Sequence, residues 1–399
     1  MNRNRWLLAL CQGLFLTNNI GFTAINGLVG LSMAPLGWMA TLPIMGYVVG
    51  GALATGPVTR AQLRFGRRAS FQIGLAVALG STLLCALAVA LHSFWLLCAA
   101  TVVAGYYNAN AQLYRFAAAE VVSPQWREKA VSLVMAGGLI GAVIGPNLAR
   151  YTRDALPVPF AGVYLALAVA ALAGMALMQF VVFPAPPPRQ AAQAEARPLA
   201  VIVRQPAFIT ATLACALGYG VMNLLMAATP LAMQVCGLPF ADTALVLEWH
   251  VIGMFAPGFV TGHLIRRLGA PAIMSAGLLF NLACIMIALA GLDVRHFAVA
   301  LFLLGVGWNF LFTGGTTLAL TTFTSEEKDR AQGALNFWVF AVQAVSTFSS
   351  GALVTTKGWR LLNFGSLVPV ALMGLALLWL AATRHAARAS KAGRCTISK

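Results

Sequence analysis

Long apolar runs, separated by short polar or charged clusters, fill the chain from end to end. They cover residues 6–31, 37–58, 70–91, 94–114, 130–149, 160–183, 207–233, 241–262, 271–291, 297–320, 331–354 and 363–383. Each can cross a hydrocarbon core about 30 Å thick as an α-helix, which takes about 20 residues. Periodicity does not separate helix from strand here, because a buried helix is apolar on every side. The bilayer decides instead: a segment in lipid must satisfy its own backbone, and a lone helix does so without a neighbour. The pattern predicts an all-α polytopic membrane protein with about twelve transmembrane helices.

Composition supports this. The chain is 60% hydrophobic and 9% charged, against roughly 25% charged in soluble proteins. The net charge of +16 first suggests nucleic acid. The basic residues, however, sit in short clusters between apolar runs, not in one folded patch, so nucleic acid is not an expected partner. They read as cytoplasmic loops. With both termini placed inside, only Arg150, Arg153, Arg295, Lys357 and Arg360 of the 26 Lys and Arg fall outside. This asymmetry predicts cytoplasmic termini in a bacterial-type inner membrane. Most of the seven cysteines lie in apolar runs without paired spacing. They read as small fillers, and no metal or cofactor is expected. Arg3 and Arg5 precede the first run as in a signal peptide, but the run continues to about Met33 without a cleavage site, so a retained helix is expected.

The longest loop, 184–206, holds Pro184, Pro186, Pro187 and Pro188 and reads as a tether. It divides the chain into a six-helix bundle at 1–183 and a second at 207–399 that ends in a short basic tail. The two look like repeats. A shift of 203 residues places Arg64 on Arg267, Gly66 on Gly269 and Arg127 on Arg330. One shift that aligns two separate loops signals an internal repeat. Paired repeats of this kind rock about a central site.

At these loops the chain resembles the major facilitator superfamily, whose signature between helices 2 and 3 is G-x-x-x-D-R-x-G-R-R/K. Arg64, Gly66, Arg67 and Arg68 match, while Leu63 stands at the aspartate and Thr59 at the leading glycine. In the second copy Gly262, Arg267 and Gly269 match, and Arg266 stands at the aspartate. The resemblance implies a conformational latch at this loop, held by Arg64 and Arg267. The lost aspartate leaves that latch without its usual carboxylate. Gly137, Gly141, Gly145 and Pro146 on helix 5 resemble the family's G-x-x-x-G-P motif. Physically, glycines four apart make a smooth ridge for close helix packing, and proline bends the helix. The arginine that proton antiporters of the family often carry on helix 4 has Thr101 near its place. Tyr114 to Ala119 and Glu248 to Phe255 resemble segments of bacterial riboflavin-importer-like members.

Polar groups inside a bilayer are costly and mark candidate sites. The resemblance implies that helices 1, 4, 7 and 10 line the cavity, and amides and aromatics cluster there. Helix 1 has Asn18, Asn19 and Asn26, the last two seven apart on one face. Helix 4 has Tyr106, Tyr107, Asn108, Asn110 and Gln112, and Asn108, Gln112 and Arg115 form one stripe. Helix 7 offers Tyr219 and Asn223, and helix 10 offers Trp308, Asn309, Thr313 and Thr316. The alternative for each amide is an interhelical hydrogen bond, worth about 1 kcal/mol. As a cavity the set is rich in amides and aromatic faces and poor in charge. It suits a neutral or weakly charged, planar solute and suits a sugar phosphate or dicarboxylate badly.

Glu248 is the one carboxylate well inside a span and is a candidate proton carrier; His250 points about 200° away from it. Both, with Arg115, are candidates for coupling or gating, and each could equally be a satisfied packing residue. Gly253, Pro257, Gly258 and Gly262 make helix 8 bendable. Asn336, Trp338 and Gln343 on helix 11 form a further polar group without a sharp assignment. Thr324 to Glu327 read as a helix cap. No P-loop, HExxH or paired-cysteine motif occurs, so no enzyme is expected. The expected function is secondary transport of a small organic solute by a monomer, with lipid and possible protons as further partners. A proton-coupled efflux pump and a transporter-like receptor without flux are the alternatives.

Overall fold

A computed structural model describes residues 3–123, 127–183, 197–324 and 327–397. The helices are α1 (Arg3–Met33), α2 (Leu42–Ala90), α3 (Phe94–Ala111), α4 (Tyr114–Glu120), α5 (Arg127–Thr152), α6 (Ala161–Gln179), α7 (Leu199–Val203), α8 (Pro206–Val235), α9 (Phe240–Phe255), α10 (Gly258–Leu268), α11 (Ala270–Ala290), α12 (Val294–Ala319), α13 (Lys328–Thr356) and α14 (Gly358–Ile397). Among the described residues, ten segments are long and apolar enough to cross a membrane. Split at Gly66, the longest supplies two passes, and α3 joined to α4 supplies one more, which gives the expected twelve.

Local breaks follow from particular residues. Gly66 turns α2 back on itself with φ 80 and ψ 171, and Gly269 does the same between α10 and α11 with φ 84 and ψ 151. An L side chain is strained at such positive φ, so both repeats place glycine at the same turn. Pro257 separates α9 from α10, where helix 8 was expected to bend. The fourth span differs from expectation. It breaks at Gln112 and Leu113 and then continues as α4 to Glu120.

In α5, a Cβ on Gly137 would lie 2.2 Å from the Ala9 carbonyl oxygen, and one on Gly141 would lie 2.6 Å from that of Gly13. Gly145 faces Thr17 and Ile20 in the same way. The ridge expected from these glycines therefore seats α5 directly on the backbone of α1, with Pro146 inside the helix nearly two turns before its end.

Helices α1–α6 pack chiefly with one another, as do α8–α14. The two sets meet through α5 with α9, α2 with α13, and α1 with α8. These junctions gather at one end of the bundle. There the Thr41 hydroxyl donates 2.8 Å to the Thr347 carbonyl and accepts 3.1 Å from the Gly351 N–H. Trp38 meets Phe348 edge-on at 5.8 Å, and Phe160 meets Phe240 at 6.0 Å with Arg153 against both rings.

Among the described residues, the hydrogen bonds at the opposite end stay within each set. Arg67 makes a forked pair with Glu120, and Arg68 donates 2.8 Å to the Gln179 side chain. Glu120, at the end of α4, is thus the carboxylate that meets this loop. Arg64 and Arg267 are both exposed, and Arg64 lies over the Phe65 ring. In the second set, buried Glu327 accepts from the Arg197 guanidinium at 2.7 Å and from the Thr324 N–H at 2.9 Å. Arg197 first, and then these N–H donors, hold the Glu327 carboxyl down at about 2. Glu327 therefore clasps the chain just before α7, and it is also the N-cap residue of α13, where a helix cap was expected. Of that expected cap, Ser325 and Glu326 lie outside the described residues, as do 184–196 of the expected tether.

Candidate substrate site between the two helix sets

Tyr219 on α8 is the centre of an aromatic cluster in the second set. Its ring meets Trp308 edge-on at 5.4 Å and Phe312 at 5.8 Å. Trp308 stacks on Phe312 at 5.2 Å with 12° between the planes, one turn apart on α12, and Phe255 on α9 closes on Trp308 at 6.3 Å. These rings offer faces and edges to a flat ligand. In the first set, Tyr47 lies buried on α2 and Arg115 half-buried on α4. Tyr47 in turn accepts 3.1 Å from the Asn19 amide on α1. Of the residues expected from sequence, Tyr219 and Trp308 are therefore brought together, and Asn19 is bonded to Tyr47.

Asn223 forms the wall behind them. Its amide donates 3.2 Å to the Gln343 carbonyl and also to the Thr347 hydroxyl, which binds α8 to α13. Thr347 is the residue whose carbonyl receives Thr41. The wall is thus continuous with the closed end of the bundle. Asn108 lies against the surface of α2 that Gly51 leaves open, with its Oδ1 buried and without a hydrogen-bond partner. Gln112 is exposed at the break after α3, and Thr313 is half-buried on α12.

Other expected site residues lie elsewhere. Asn26 is buried within the first set, where it donates 2.9 Å to the Phe22 carbonyl and accepts 2.7 Å from the Tyr164 hydroxyl. Tyr107 is buried against the Phe15 edge at 5.5 Å. Asn309 is buried between α12 and the α9–α10 bend, donating 2.7 Å to the Met254 carbonyl and accepting 2.7 Å from Thr261. All three satisfy themselves between helices of one set, as the interhelical alternative described. His250 is fully buried, with Nδ1 at 2.7 Å from the Leu301 carbonyl, a packing contact. Glu248 lies at the closed end and accepts 2.8 Å from Asn147 on α5.

Tyr47, Phe312, Gln343, Asn147 and Glu120 were not expected in these roles. Tyr47 is the lone tyrosine of the second apolar run, and that isolation was the one available signal. Among the described residues no group of three or more His, Cys, Asp or Glu could hold a metal.

Comparison with known proteins fits this geometry. The Major Facilitator Superfamily matches at residues 5–308 and 249–395. The riboflavin transporter RfnT of Brucella anthropi is 37% identical over 91% of this chain and 92% of its own length. An uncharacterized MFS-type transporter of Bacillus subtilis, YdeG, is 29% identical over 85% of this chain and 83% of its own. Among solved structures, a bacterial homologue of the human lysosomal transporter Spinster, inward-facing and occupied, covers 95% of this chain and 96% of its own at TM-score 0.73 and 14% identity. The POT family transporter PepTSo covers 97% and 98% at TM-score 0.74 and 11% identity. These two are similar in fold. Twelve membrane passes in two packed sets and family similarity along nearly the whole chain lead to one conclusion: this chain belongs to the Major Facilitator Superfamily and is a multi-pass membrane transporter of a small molecule.

Proposed function

We propose that the chain takes up a planar, neutral or weakly charged heterocycle of the riboflavin type across a bacterial inner membrane. Two lobes, 1–183 and 207–399, rock about the Tyr219 cluster and expose it to each side in turn. With the termini cytoplasmic, the end joined by Thr41, Asn147 and Glu248 faces outward, so the conformation is open toward the cytoplasm. Glu248 is the coupling candidate, because a proton on it would change the bond that closes the outer end.

One observation carries this reading: Tyr219, Trp308, Phe312 and Phe255 form a cluster of ring faces and edges on α8, α12 and α9, which suits a flat ring. Similarity to a riboflavin transporter at 37% identity supports the choice of ring. The test is growth of a bacterial riboflavin auxotroph that lacks its own importer. Expression should rescue growth at low riboflavin, and the Tyr219→Ala variant should not. Failure of the well-expressed wild-type protein to rescue overturns the assignment.

A further inference from the structure

A groove of about 470 Å³ runs between α5 and α6 over α1, on the outer surface of the first helix set. Both helices pack on α1 and touch each other little, which leaves the seam between them open. Leu10 and Leu14 of α1 form its floor, and Ile140 and Ile144 of α5 form one wall. On the α6 side the small side chains of Ala173 and Ala176 leave the other wall recessed. The lining is almost wholly apolar, and Phe180 marks one end.

That end carries charge. Asn4 ties the start of α1 to Val182, donating 2.8 Å to its carbonyl and accepting 3.2 Å from its N–H. Arg3 then donates 3.4 Å to the Phe180 carbonyl. Arg68, just after the Gly66 turn, donates 2.8 Å to the Gln179 side chain and also donates to the Gln179 carbonyl. Two exposed guanidinium groups are therefore anchored on neighbouring residues at the end of α6. Among the described residues neither joins an ion pair, whereas Arg67, one residue from Arg68, pairs with Glu120. Neutral carbonyls orient a guanidinium without neutralising it, and its fork suits a phosphate.

Length narrows the occupant. Arg3, Leu10 and Leu14 lie at i, i+7 and i+11, on one face of α1. At 1.5 Å per residue they span about 17 Å, just over half of a 30 Å hydrocarbon core. The groove thus reaches from the surface on the side of the N-terminus to the midplane, the reach of one acyl chain in one leaflet. A peptide strand there would leave backbone groups unsatisfied in lipid. An apolar molecule without a headgroup would leave both cations unmet.

We propose that this groove is a site for a single anionic glycerophospholipid: one acyl chain lies along α1 between α5 and α6, and Arg3 and Arg68 hold the headgroup phosphate. A zwitterionic lipid brings an ammonium to the same pair of cations and loses part of the attraction.

The test is native mass spectrometry of the full-length protein released from detergent, titrated with phosphatidylglycerol or with phosphatidylethanolamine of the same acyl chains. Wild type should bind one phosphatidylglycerol at least about 5-fold more tightly than phosphatidylethanolamine. Each arginine near a charged headgroup contributes a factor of about 5, so Arg3→Gln combined with Arg68→Gln should weaken phosphatidylglycerol about 30-fold. Arg266→Gln combined with Arg267→Gln removes two exposed arginines of the second set and should stay within about 2-fold of wild type. Ala173→Phe fills the groove from its exposed wall, leaves both arginines in place and should also lose the bound lipid. Equal affinity of wild type for the two lipids overturns the headgroup site. Equal losses in the two arginine pairs overturn it as well, because that reports net charge alone. Unchanged binding in Ala173→Phe places the lipid outside the groove and overturns the seat. None of these outcomes bears on the riboflavin reading.

Discussion

The Asn147 amide donates a 2.8 Å hydrogen bond to the Glu248 carboxylate, from α5 of the first helix set to α9 of the second. Glu248 therefore works with a partner from the opposite set, and His250, two residues away, turns to Leu301 within its own. The bond shares its end of the bundle with the Thr41 contacts to Thr347 and Gly351. Opening that end must break all of them.

Asn147→Ala and Glu248→Gln should each favour opening of this end. An interhelical hydrogen bond in a bilayer averages about 0.6 kcal/mol and reaches about 1.7. The shift in population is then about 3-fold to 18-fold. A cysteine at buried Ser350, in a background with exposed Cys236 replaced by serine, reports it through the rate of labelling by an impermeant maleimide. Unchanged labelling in both variants would show that the bond does not hold the end closed.

Arg67 and Glu120 should behave as one unit. Each is partly exposed, so their pair contributes under about 1 kcal/mol to stability. Its consequence lies in how α4 and the Gly66 turn move together. Arg67→Gln and Glu120→Gln should each slow transport, and the double variant should be no slower than the worse single one. Additive losses would separate the two residues.

Asn309 should matter for stability and not for recognition. Asn309→Ala removes its bonds to Met254 and Thr261 and should cost about 1 kcal/mol. Thermal unfolding in detergent should register that loss, while the KM for transport stays within about 2-fold. A large rise in KM at unchanged melting temperature would return Asn309 to the cavity.

The spans were legible because each run is about as long as the bilayer is thick. The turns at Gly66 and Gly269 were legible as well, through the 203-residue shift. The site was half legible. Tyr219 and Trp308 meet ring to ring and Asn19 bonds Tyr47 on the neighbouring helix, whereas Asn26, Tyr107 and Asn309 face neighbours within one set. An amide stripe looks the same in sequence whether it meets a cavity or a helix, and only packing decides which way it turns. Tyr47 stayed hidden for the opposite reason, as the lone tyrosine of its run with no stripe around it. Gln343 was visible with Asn336 and Trp338 as a polar group, and only packing shows that its carbonyl receives Asn223.

The clasp of Arg197 on Glu327 should make stability depend on pH. The Glu327 carboxyl is held at about 2, against an ordinary 4.5. A depressed acid stabilises the fold above its unfolded value, and that contribution is lost as pH falls through the interval from about 4.5 to about 2. Glu327→Gln should therefore lower the melting temperature at pH 7, and the gap to wild type should narrow by pH 3. A gap equal at both values would rule out the ion pair as its source.

Uptake of radiolabelled riboflavin into proteoliposomes, with and without an imposed pH gradient, tests the site at Tyr219 most directly. Saturable uptake by wild type is expected, with at least a 10-fold loss in k_cat/K_M, about 1.4 kcal/mol, in Tyr219→Ala and in Trp308→Ala. Gradient dependence that disappears in Glu248→Gln would make Glu248 the coupling residue. Wild-type uptake that both aromatic variants match would contradict a site centred on Tyr219.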